Sequence, residues 1–241
     1  MKNNNVEIIF ENNDVLILNK PSGIAVLSGR EETKESITLI SEVKKSLNKN
    51  IIPITSLDID ATGIVLFAKN KNAYDFIAKQ LEDNKIEKTF HILVNGNIQE
   101  EEGTIDKPIL VDSQQVIVSE KGVTSCTKYK VKEKFRDFTF LEVNPLTSRR
   151  NQIRVHFFSI GNPLAIDNIY ASSEPILLSA LKRRYKGIDK ENPLLKRLPL
   201  HFAKIQFILP NQTQKSVFEV PLPKDMELIL KQLRKYNRNF L

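Results

Sequence analysis

The sequence has very little sulfur or imidazole chemistry, with one cysteine and three histidines among 241 residues. A single cysteine excludes an internal disulfide framework, and three scattered histidines argue against a dedicated zinc site. Cys126 has no neighbouring base that would activate its thiol, so we expect it to be inert. These absences favour a reducing, cytoplasmic location and a protein that binds no metal.

Long apolar runs are also absent. None approaches the ~18 residues that a membrane helix requires, so we expect no membrane-spanning helix. The first residues, MKNNNVEIIFENND, lack the apolar core of a signal peptide. No G-x-G-x-x-G or Walker sequence occurs, and no nucleotide or redox cofactor is therefore expected.

Apolar residues make up 41% of the chain, which is enough for one sizeable core or two small ones. No repeat and no Ser/Pro/Gly-rich linker interrupts the chain, which favours a single domain over residues 1–241. The net charge of +7 favours polyanionic partners, with RNA, DNA and membrane surfaces all left open.

Apolar periodicity predicts more strands than helices, in no strict β-α-β alternation. Helical spacing occurs at 33–50, 72–84, 151–161 and 224–237. Strand patterns occur at 6–10, 14–21, 54–58, 63–69, 87–96, 124–135, 137–146, 200–209 and 215–223, whereas 99–122 is weakly patterned. The pattern predicts an α+β fold on a mixed, mostly antiparallel sheet with flanking helices.

The stretch SLDIDATG places Asp58 and Asp60 directly before an apolar run. Either carboxylate can act as a nucleophile if it is held and aimed. Both can equally be solvated turn residues, which is the commoner fate of aspartate at such a junction. The spacing alone does not decide between these interpretations.

The stretch LTSRRNQIRVH places Arg149 and Arg150 at the start of a predicted helix, where unpaired amides favour anions. Arg154 follows one turn later beside the apolar Ile153 and Phe157. A buried arginine in such surroundings requires a carboxylate partner. A solvated basic helix start is the alternative.

The segment 181–198 carries seven Lys or Arg residues and two acidic residues. Such a segment is usually a solvated surface, but an aromatic ring within it offers a stacking face for a base. RNA contacts are expected at Lys182, Arg183, Arg184, Tyr185 and Lys186. The histidines, His91, His156 and His201, are interpreted as structural.

Five blocks occur in a set order: NNDVLILNKPSGIAV, SLDIDATGIVLFAKN, EKTFHILVNG, TSRRNQIRVHFFSIGNPLAIDNIY, and RLPLHFAKIQFILP with FEVPLP. In the same order they resemble the motifs D-x-(apolar)-N-K-P-x-G, H-R-L-D-x-x-T-S-G-L-L-L-F-A-K, K-x-Y-x-A-x-V-x-G, T-G-R-T-H-Q-I-R-V-H-L and R-L-x-L-H-A of the RluA-type RNA pseudouridine synthases. The resemblance covers about residues 6–225, and a C-terminal helix is expected over 226–241.

The resemblance implies the pseudouridine synthase fold with a central active-site cleft. It also implies that Asp58, rather than Asp60, attacks the target uridine, whose uracil is then rejoined through carbon. Arg154 matches the arginine that pairs with this aspartate, lowering its pKa and fixing its rotamer. Ile153 matches an apolar residue that contacts the base, and Phe90 matches an aromatic residue that stacks on it.

The resemblance further implies a stand-alone catalytic domain with no S4 RNA-binding domain. It implies a monomer that acts on ribosomal or transfer RNA without a cofactor, a metal or a membrane partner. Substrate-binding roles are implied for Leu57, Thr62, Gly63, Lys88, Arg149, Arg150 and Ile153.

The sequence departs from the family motifs at positions near the implied chemistry. Thr55-Ser56 replaces His-Arg, Phe90 replaces tyrosine, and Arg150-Asn151 replaces Thr-His. These departures favour, as an alternative, a catalytically impaired relative that still binds RNA. A protein-interaction scaffold on the same fold would require an exposed apolar patch, which the sequence does not indicate.

Overall fold

The computed structural model describes residues 6–27, 38–47, 51–112, 115–182, 185–187 and 191–238. In chain order its elements are β1 (Glu7–Glu11), β2 (Val15–Lys20), α1 (Leu39–Leu47), β3 (Ile52–Pro53), β4 (Thr62–Ala68), α2 (Lys71–Glu82), β5 (Glu87–Asn95), β6 (Glu102–Asp106), β7 (Ile109–Val111), β8 (Val116–Val118), β9 (Cys126–Lys134), β10 (Phe138–Pro145), α3 (Gln152–Ser159), α4 (Leu178–Leu181), β11 (Leu200–Ile208), β12 (Lys215–Glu219) and α5 (Lys224–Tyr236).

The chain divides into two compact units. Unit 1 comprises Met1–Lys88 and Phe202–Pro221, and unit 2 comprises Thr89–His201 and Leu222–Leu241. The α+β class with mostly antiparallel strands is confirmed. The assignment of the whole chain to a single domain stays a prediction.

Unit 1 is built on the strand order β1-β2-β4-β11, with β3 beside β4 and β12 beside β11. The pairs β1/β2, β2/β4 and β11/β12 are antiparallel. Every residue of β4 is buried, as expected for a continuous apolar run covered on both faces. Leu16, Leu18, Val65 and Phe67 pack with Leu39 of α1 on one side of this sheet.

Unit 2 is built on the antiparallel order β5-β10-β9-β6, with β7 and β8 forming a separate hairpin. The predicted hairpin of β9 and β10 is confirmed, and its turn lies at Arg136-Asp137. Helix α3 packs against β8, β9 and β10. Helix α5 contributes Met226, Ile229 and Leu230 to a cluster that also contains Leu93 of β5.

Gly161 ends α3 as predicted. Its φ of 81° lies in the left-handed region, where a side chain is disfavoured. The Gly161 amide donates to the Phe158 carbonyl, and the Asn162 amide donates to the Phe157 carbonyl, both at 3.0 Å. This pair of bonds is a Schellman motif, which satisfies two carbonyls of the last turn.

One expectation about local structure was wrong, one weakly patterned stretch contains short strands, and one predicted helix is described only in part. Residues 54–58 form a loop rather than the predicted strand, and only Ile52–Pro53 pairs with β4 as a strand. Ile54 and Thr55 still contact β4, because both amides donate to the Leu66 carbonyl. The weakly patterned stretch 99–122 contains three short strands, β6, β7 and β8. Helix α1 is confirmed from Leu39, whereas 33–37 lie outside the described residues. Of the helices described, none is long and apolar enough to cross a membrane.

Candidate active site

Asp58 lies in the loop between β3 and β4 of unit 1, and backbone contacts hold this loop. The Ile59 carbonyl accepts a hydrogen bond from the Lys20 ammonium at 2.8 Å and another from the Gly23 amide at 2.9 Å. The Asp58 carbonyl accepts from the Ala61 amide at 3.1 Å, which closes a turn. These three hydrogen bonds hold the backbone of the loop at Asp58 and Ile59.

Lys20 is fully buried at the end of β2. Its ammonium also donates to the Pro21 carbonyl at 2.9 Å and to the Ile24 carbonyl at 2.8 Å. An ammonium has three N–H donors, and three carbonyls converge on this one. Lys20 thereby joins the turn after β2 to the loop that carries Asp58.

The two aspartates of this loop differ in exposure. Asp58 is half-buried, whereas Asp60 and the neighbouring Ser56 are exposed. Leu57 packs against the apolar cluster beneath the sheet of unit 1. Leu57 on one side of Asp58 is packed and Ala61 on the other is fully buried, so the backbone that carries Asp58 is anchored on both sides.

Gly63 has a packing role in β4. Its φ is 112°, and a Cβ at this position would collide with the backbone of Phe202 in β11. Only glycine allows the two strands to approach this closely. Thr62, which precedes it, is 6% exposed, so β4 is buried from its first residue.

Arg154 of α3 is buried in unit 2 and forms a forked ion pair with Asp167. Its Nε donates to Asp167 Oδ2 at 2.8 Å, and its Nη2 donates to Asp167 Oδ1 at 2.6 Å. The same Nη2 donates to Asn168 Oδ1 at 3.2 Å. The expectation that a buried arginine here meets a carboxylate is confirmed, with Asp167 as a carboxylate that the sequence interpretation had not assigned.

Asp167 is itself held by its own loop. Its Oδ1 accepts from the amides of Ile169 at 2.9 Å and Tyr170 at 3.1 Å. Burial alone would raise the pKa of Asp167, but the Arg154 guanidinium and these amides stabilise the charged form and lower the pKa below its ordinary value. Asp167 is therefore an ionised carboxylate in a set orientation.

Tyr170 covers one side of the Arg154 guanidinium, whose carbon lies 5.5 Å from the ring centroid. The Tyr170 hydroxyl donates to the Val116 carbonyl at 2.9 Å, and Asn151 donates to the same hydroxyl at 3.4 Å. Burial raises the pKa of Tyr170, so the ring stays neutral near pH 7. A neutral ring over a guanidinium adds a cation–π contact.

A chain of buried polar side chains attaches α3 to β9. Gln152 Oε1 accepts from the Thr147 hydroxyl at 2.9 Å and from the Arg149 amide at 3.1 Å. Gln152 Nε2 donates to Thr127 Oγ1 at 2.9 Å, and Thr127 lies 2.9 Å from His156 Nδ1. These bonds set the position of the TSRR loop relative to α3.

The tautomer of His156 follows from its second contact. Nε2 lies 2.9 Å from the Lys107 carbonyl, which can only accept, so Nε2 carries the proton and Nδ1 accepts from Thr127. Burial lowers the pKa of His156 and keeps the ring neutral. His156 is thus a structural histidine, as expected from the sequence.

The other expected site residues lie in both units. Phe90 and Ile153 are buried at 8% and 7% exposure, and Arg149 and Arg150 are exposed at the start of α3. Lys88 is buried in β5, and desolvation lowers its pKa to about 8. Leu57, Asp58, Thr62, Gly63 and Lys88 belong to unit 1, whereas Phe90, Arg149, Arg150, Ile153 and Arg154 belong to unit 2.

The basic segment is described only in part. Lys182 lies over the Tyr236 ring with its Nζ 5.7 Å from the centroid, Tyr185 is half-buried, and Lys186 is exposed. Arg183 and Arg184 lie outside the described residues. Cys126 is partly buried in β9, and burial raises the pKa of its thiol, in agreement with an inert residue.

Comparison with known proteins gives a consistent result. The family model described as RNA pseudouridylate synthase matches residues 14–159. Ribosomal large subunit pseudouridine synthase C of Buchnera aphidicola is 31% identical over 225 residues, covering 91% of this chain and 68% of the relative. The uncharacterized RNA pseudouridine synthase YlyB of Bacillus subtilis is 32% identical over 241 residues, covering 95% and 73%.

A solved structure shares the fold. Human RNA pseudouridylate synthase domain containing 4 superposes with a TM-score of 0.71 at 19% identity, covering 94% of this chain and 92% of that one. The architecture of twelve described strands with few helices is therefore that of these proteins.

Proposed function

Because the chain belongs to the RNA pseudouridylate synthase family, and is thus an RNA pseudouridine synthase, we propose that it isomerises a uridine of ribosomal RNA with Asp58 as the nucleophile. The relative in Buchnera is named for the ribosomal large subunit. Isomerisation breaks the bond between the ribose and N1 of the uracil and forms one to C5, while a proton leaves C5 and N1 gains one. The reaction is balanced without an oxidant, a reductant or a second substrate.

The observation that carries the choice of nucleophile is the difference between Asp58 and Asp60. Asp58 is half-buried in a loop whose Ile59 carbonyl accepts hydrogen bonds from Lys20 and Gly23, whereas Asp60 is exposed to solvent. A carboxylate in water is charged but poorly aimed, and a nucleophile needs a set direction. This supports Asp58 as the attacking group.

Arg154 is proposed as the partner of Asp58, following the family motif. Asp167 accepts from Nε and Nη2 of the Arg154 guanidinium. An arginine fork suits a carboxylate on each of its edges. The pairing would keep Asp58 ionised and fix its rotamer.

The uracil ring requires an apolar surface when it leaves the RNA stack. Phe90 and Ile153 are the proposed contacts, and a flat ring at position 90 supplies stacking worth ~1–3 kcal/mol. Phenylalanine lacks the hydroxyl of the family tyrosine, so proton transfer from C5 must use another group. Lys88, whose pKa is about 8, exchanges protons near neutral pH and is proposed to contact the substrate with Leu57, Thr62 and Gly63.

RNA phosphates are proposed to bind the exposed Arg149 and Arg150 and the basic segment that contains Lys182, Tyr185 and Lys186. Exposed arginines bind phosphate in forked geometry, and the amides at the start of α3 add to the attraction. We further propose that the protein acts in the cytoplasm as a monomer and needs no cofactor. Transfer RNA is the other substrate class that the family resemblance allows.

The test is pseudouridine mapping of total RNA from cells with and without the gene, followed by complementation with the wild-type chain. The proposal expects one or a few pseudouridines in ribosomal RNA to disappear and return. Loss of a pseudouridine in transfer RNA only would show that transfer RNA is the substrate. Retained RNA binding by the purified protein, with no lost site anywhere, would instead support the catalytically impaired relative.

A further inference from the structure

We propose that Asp167 is a positioning residue that fixes the Arg154 guanidinium, in charge and in orientation, before any RNA is bound. The consequence for catalysis depends on the proposed function, in which Arg154 aims Asp58. The positioning itself rests on contacts within unit 2 alone.

The contact has the geometry of a strong, directional ion pair. Both Asp167 oxygens are used, at 2.8 and 2.6 Å, and the exposed side-chain fractions are 5% for Arg154 and 0% for Asp167. Two parallel hydrogen bonds set the plane of the guanidinium as well as its distance. Neither side chain can rotate away without leaving a buried charge uncompensated.

Asp167 can set this orientation because its own carboxylate is held independently of Arg154. The amides of Ile169 and Tyr170 donate to Oδ1, and the Asp167 amide donates to the Ser172 carbonyl at 2.9 Å. The Ala171 amide also donates to the Asp167 carbonyl at 3.0 Å. The carboxylate is therefore attached to a closed turn of backbone.

Two further contacts restrict the remaining freedom of the guanidinium. Asn168 accepts from Nη2 at 3.2 Å, and the Tyr170 ring lies along one face. The Tyr170 hydroxyl is anchored to Val116 of β8, so the ring is held from a second element. Arg154 is thus restrained at one edge and on one face.

The charge of Asp167 has a second effect. A buried arginine without a carboxylate would bear a large desolvation cost, and the pair with Asp167 offsets it. The pair with Asp167 therefore keeps Arg154 in place whether or not Asp58 is reacting with the substrate.

The experiment compares Asp167→Asn with a matched control, Asp225→Asn. Asp225 forms a second forked pair within unit 2, accepting from Arg197 Nε at 2.6 Å and from Nη2 at 2.7 Å. Both variants break the same kind of contact with an isosteric amide. Asp167→Asn is expected to lower kcat about 10²-fold with KM within about threefold, since the reacting group is misplaced. Asp225→Asn is expected to leave both constants near those of the wild type.

A double variant separates positioning from a general structural effect. If Asp167 acts through Arg154, then adding Asp167→Asn to Arg154→Lys lowers kcat no further than Arg154→Lys alone. Wild-type kcat in Asp167→Asn, or independent losses that multiply in the double variant, would overturn the proposal. Should Asp167→Asn fail to fold, Asp167→Glu, which keeps the charge and displaces the fork, is expected to show the same loss of kcat.

A second measurement does not depend on activity. The Nε–H proton of Arg154, assigned by its absence in Arg154→Lys, is expected to exchange slowly with water in the wild type and at least about tenfold faster in Asp167→Asn. Unchanged exchange would overturn the positioning role. If the wild-type protein makes no pseudouridine at all, the proposed function fails, and this exchange rate still decides whether Asp167 positions Arg154.

Discussion

The Lys20 ammonium lies 2.8 Å from the carbonyl oxygen of Ile59, the residue that follows Asp58. Lys20 belongs to β2, and 39 residues separate it from Ile59 along the chain. A buried positive charge thus connects the core of unit 1 to the loop of the proposed nucleophile. Burial of such a charge is tolerated because three carbonyls accept from it.

Replacement of this lysine should therefore affect both stability and activity. Lys20→Met removes the donor from three carbonyls, and we expect a loss of roughly 2–4 kcal/mol in the free energy of unfolding. The released loop should lower pseudouridine formation more than tenfold in the protein that remains folded. Urea unfolding and single-turnover assays measure the two effects.

The matched control is Lys69→Met. Lys69 is also a mostly buried lysine of unit 1, with 9% of its side chain exposed, and it donates to Glu11 and Asn12 at 2.6 Å. This variant should lose stability and retain the wild-type rate per folded molecule. Equal rates for the two variants would contradict the role of Lys20 in holding the Asp58 loop.

Gly63 and Gly161 provide a second comparison. Both have positive φ, but a Cβ at Gly63 would collide with the Phe202 backbone, whereas a Cβ at Gly161 would meet nothing within 4 Å. Gly161→Ala should cost about 1 kcal/mol from backbone strain alone. Gly63→Ala should cost about 3 kcal/mol or more, because strand separation adds to the strain. Thermal unfolding tests this, and equal losses would refute the packing role of Gly63.

The neutral state of His156 predicts a dependence of stability on pH. Burial lowers the pKa of His156 below the ~6.5 of an unfolded chain, so the unfolded state binds more protons between those two values. The free energy of unfolding should therefore fall as pH drops below about 6.5. His156→Gln, which can still accept from Thr127 and donate to Lys107, should make this fall shallower. Parallel pH curves for the two proteins would show that His156 does not contribute.

Much of the fold could be predicted from apolar periodicity. The patterns predicted helices α2, α3 and α5 and strands β4, β5 and β10, because each has a buried stripe or a fully buried run. Strand β9 was predicted as well, although only two of its residues are buried. The short strands of 99–122 were missed because three to five residues carry too little alternation to be recognised. The loop at 54–58 was taken for a strand because its apolar residues suggested pairing, but Ile54 and Thr55 share a single carbonyl of β4, that of Leu66, instead of extending the strand.

The sequence predicted which residue types form the site, but it did not identify which residues pair with them. The sequence indicated that Arg154 needs a carboxylate, but Asp167 lies 13 residues away in a loop without periodicity. Its identity depends on how that loop folds back. Gln152 and Lys20 act through backbone carbonyls, which leave no trace in the side-chain pattern. The block NPLAIDNIY contains Asp167 and Tyr170, and charge complementarity with Arg154 was the signal available there.

RNA binding should depend steeply on salt. Neutralised phosphates release counterions, so log K falls linearly with log salt concentration. Replacing Arg149 and Arg150 together by glutamine should reduce the slope by about 2, since each arginine contacts about one phosphate. Replacing Lys71 and Lys79, both exposed on α2, removes the same charge and should leave the slope nearly unchanged. Equal changes from the two double variants would argue against a phosphate site at the start of α3.

The most direct measurement of the central claim is the rate of pseudouridine formation by Asp58→Ala and by Asp60→Ala on the same ribosomal RNA substrate. The two residues share one loop and differ in burial. The account predicts no detectable product with Asp58→Ala and a rate within about threefold of wild type with Asp60→Ala, because only a held carboxylate can attack. Comparable activity in the two folded variants would contradict the assignment of Asp58 as the nucleophile.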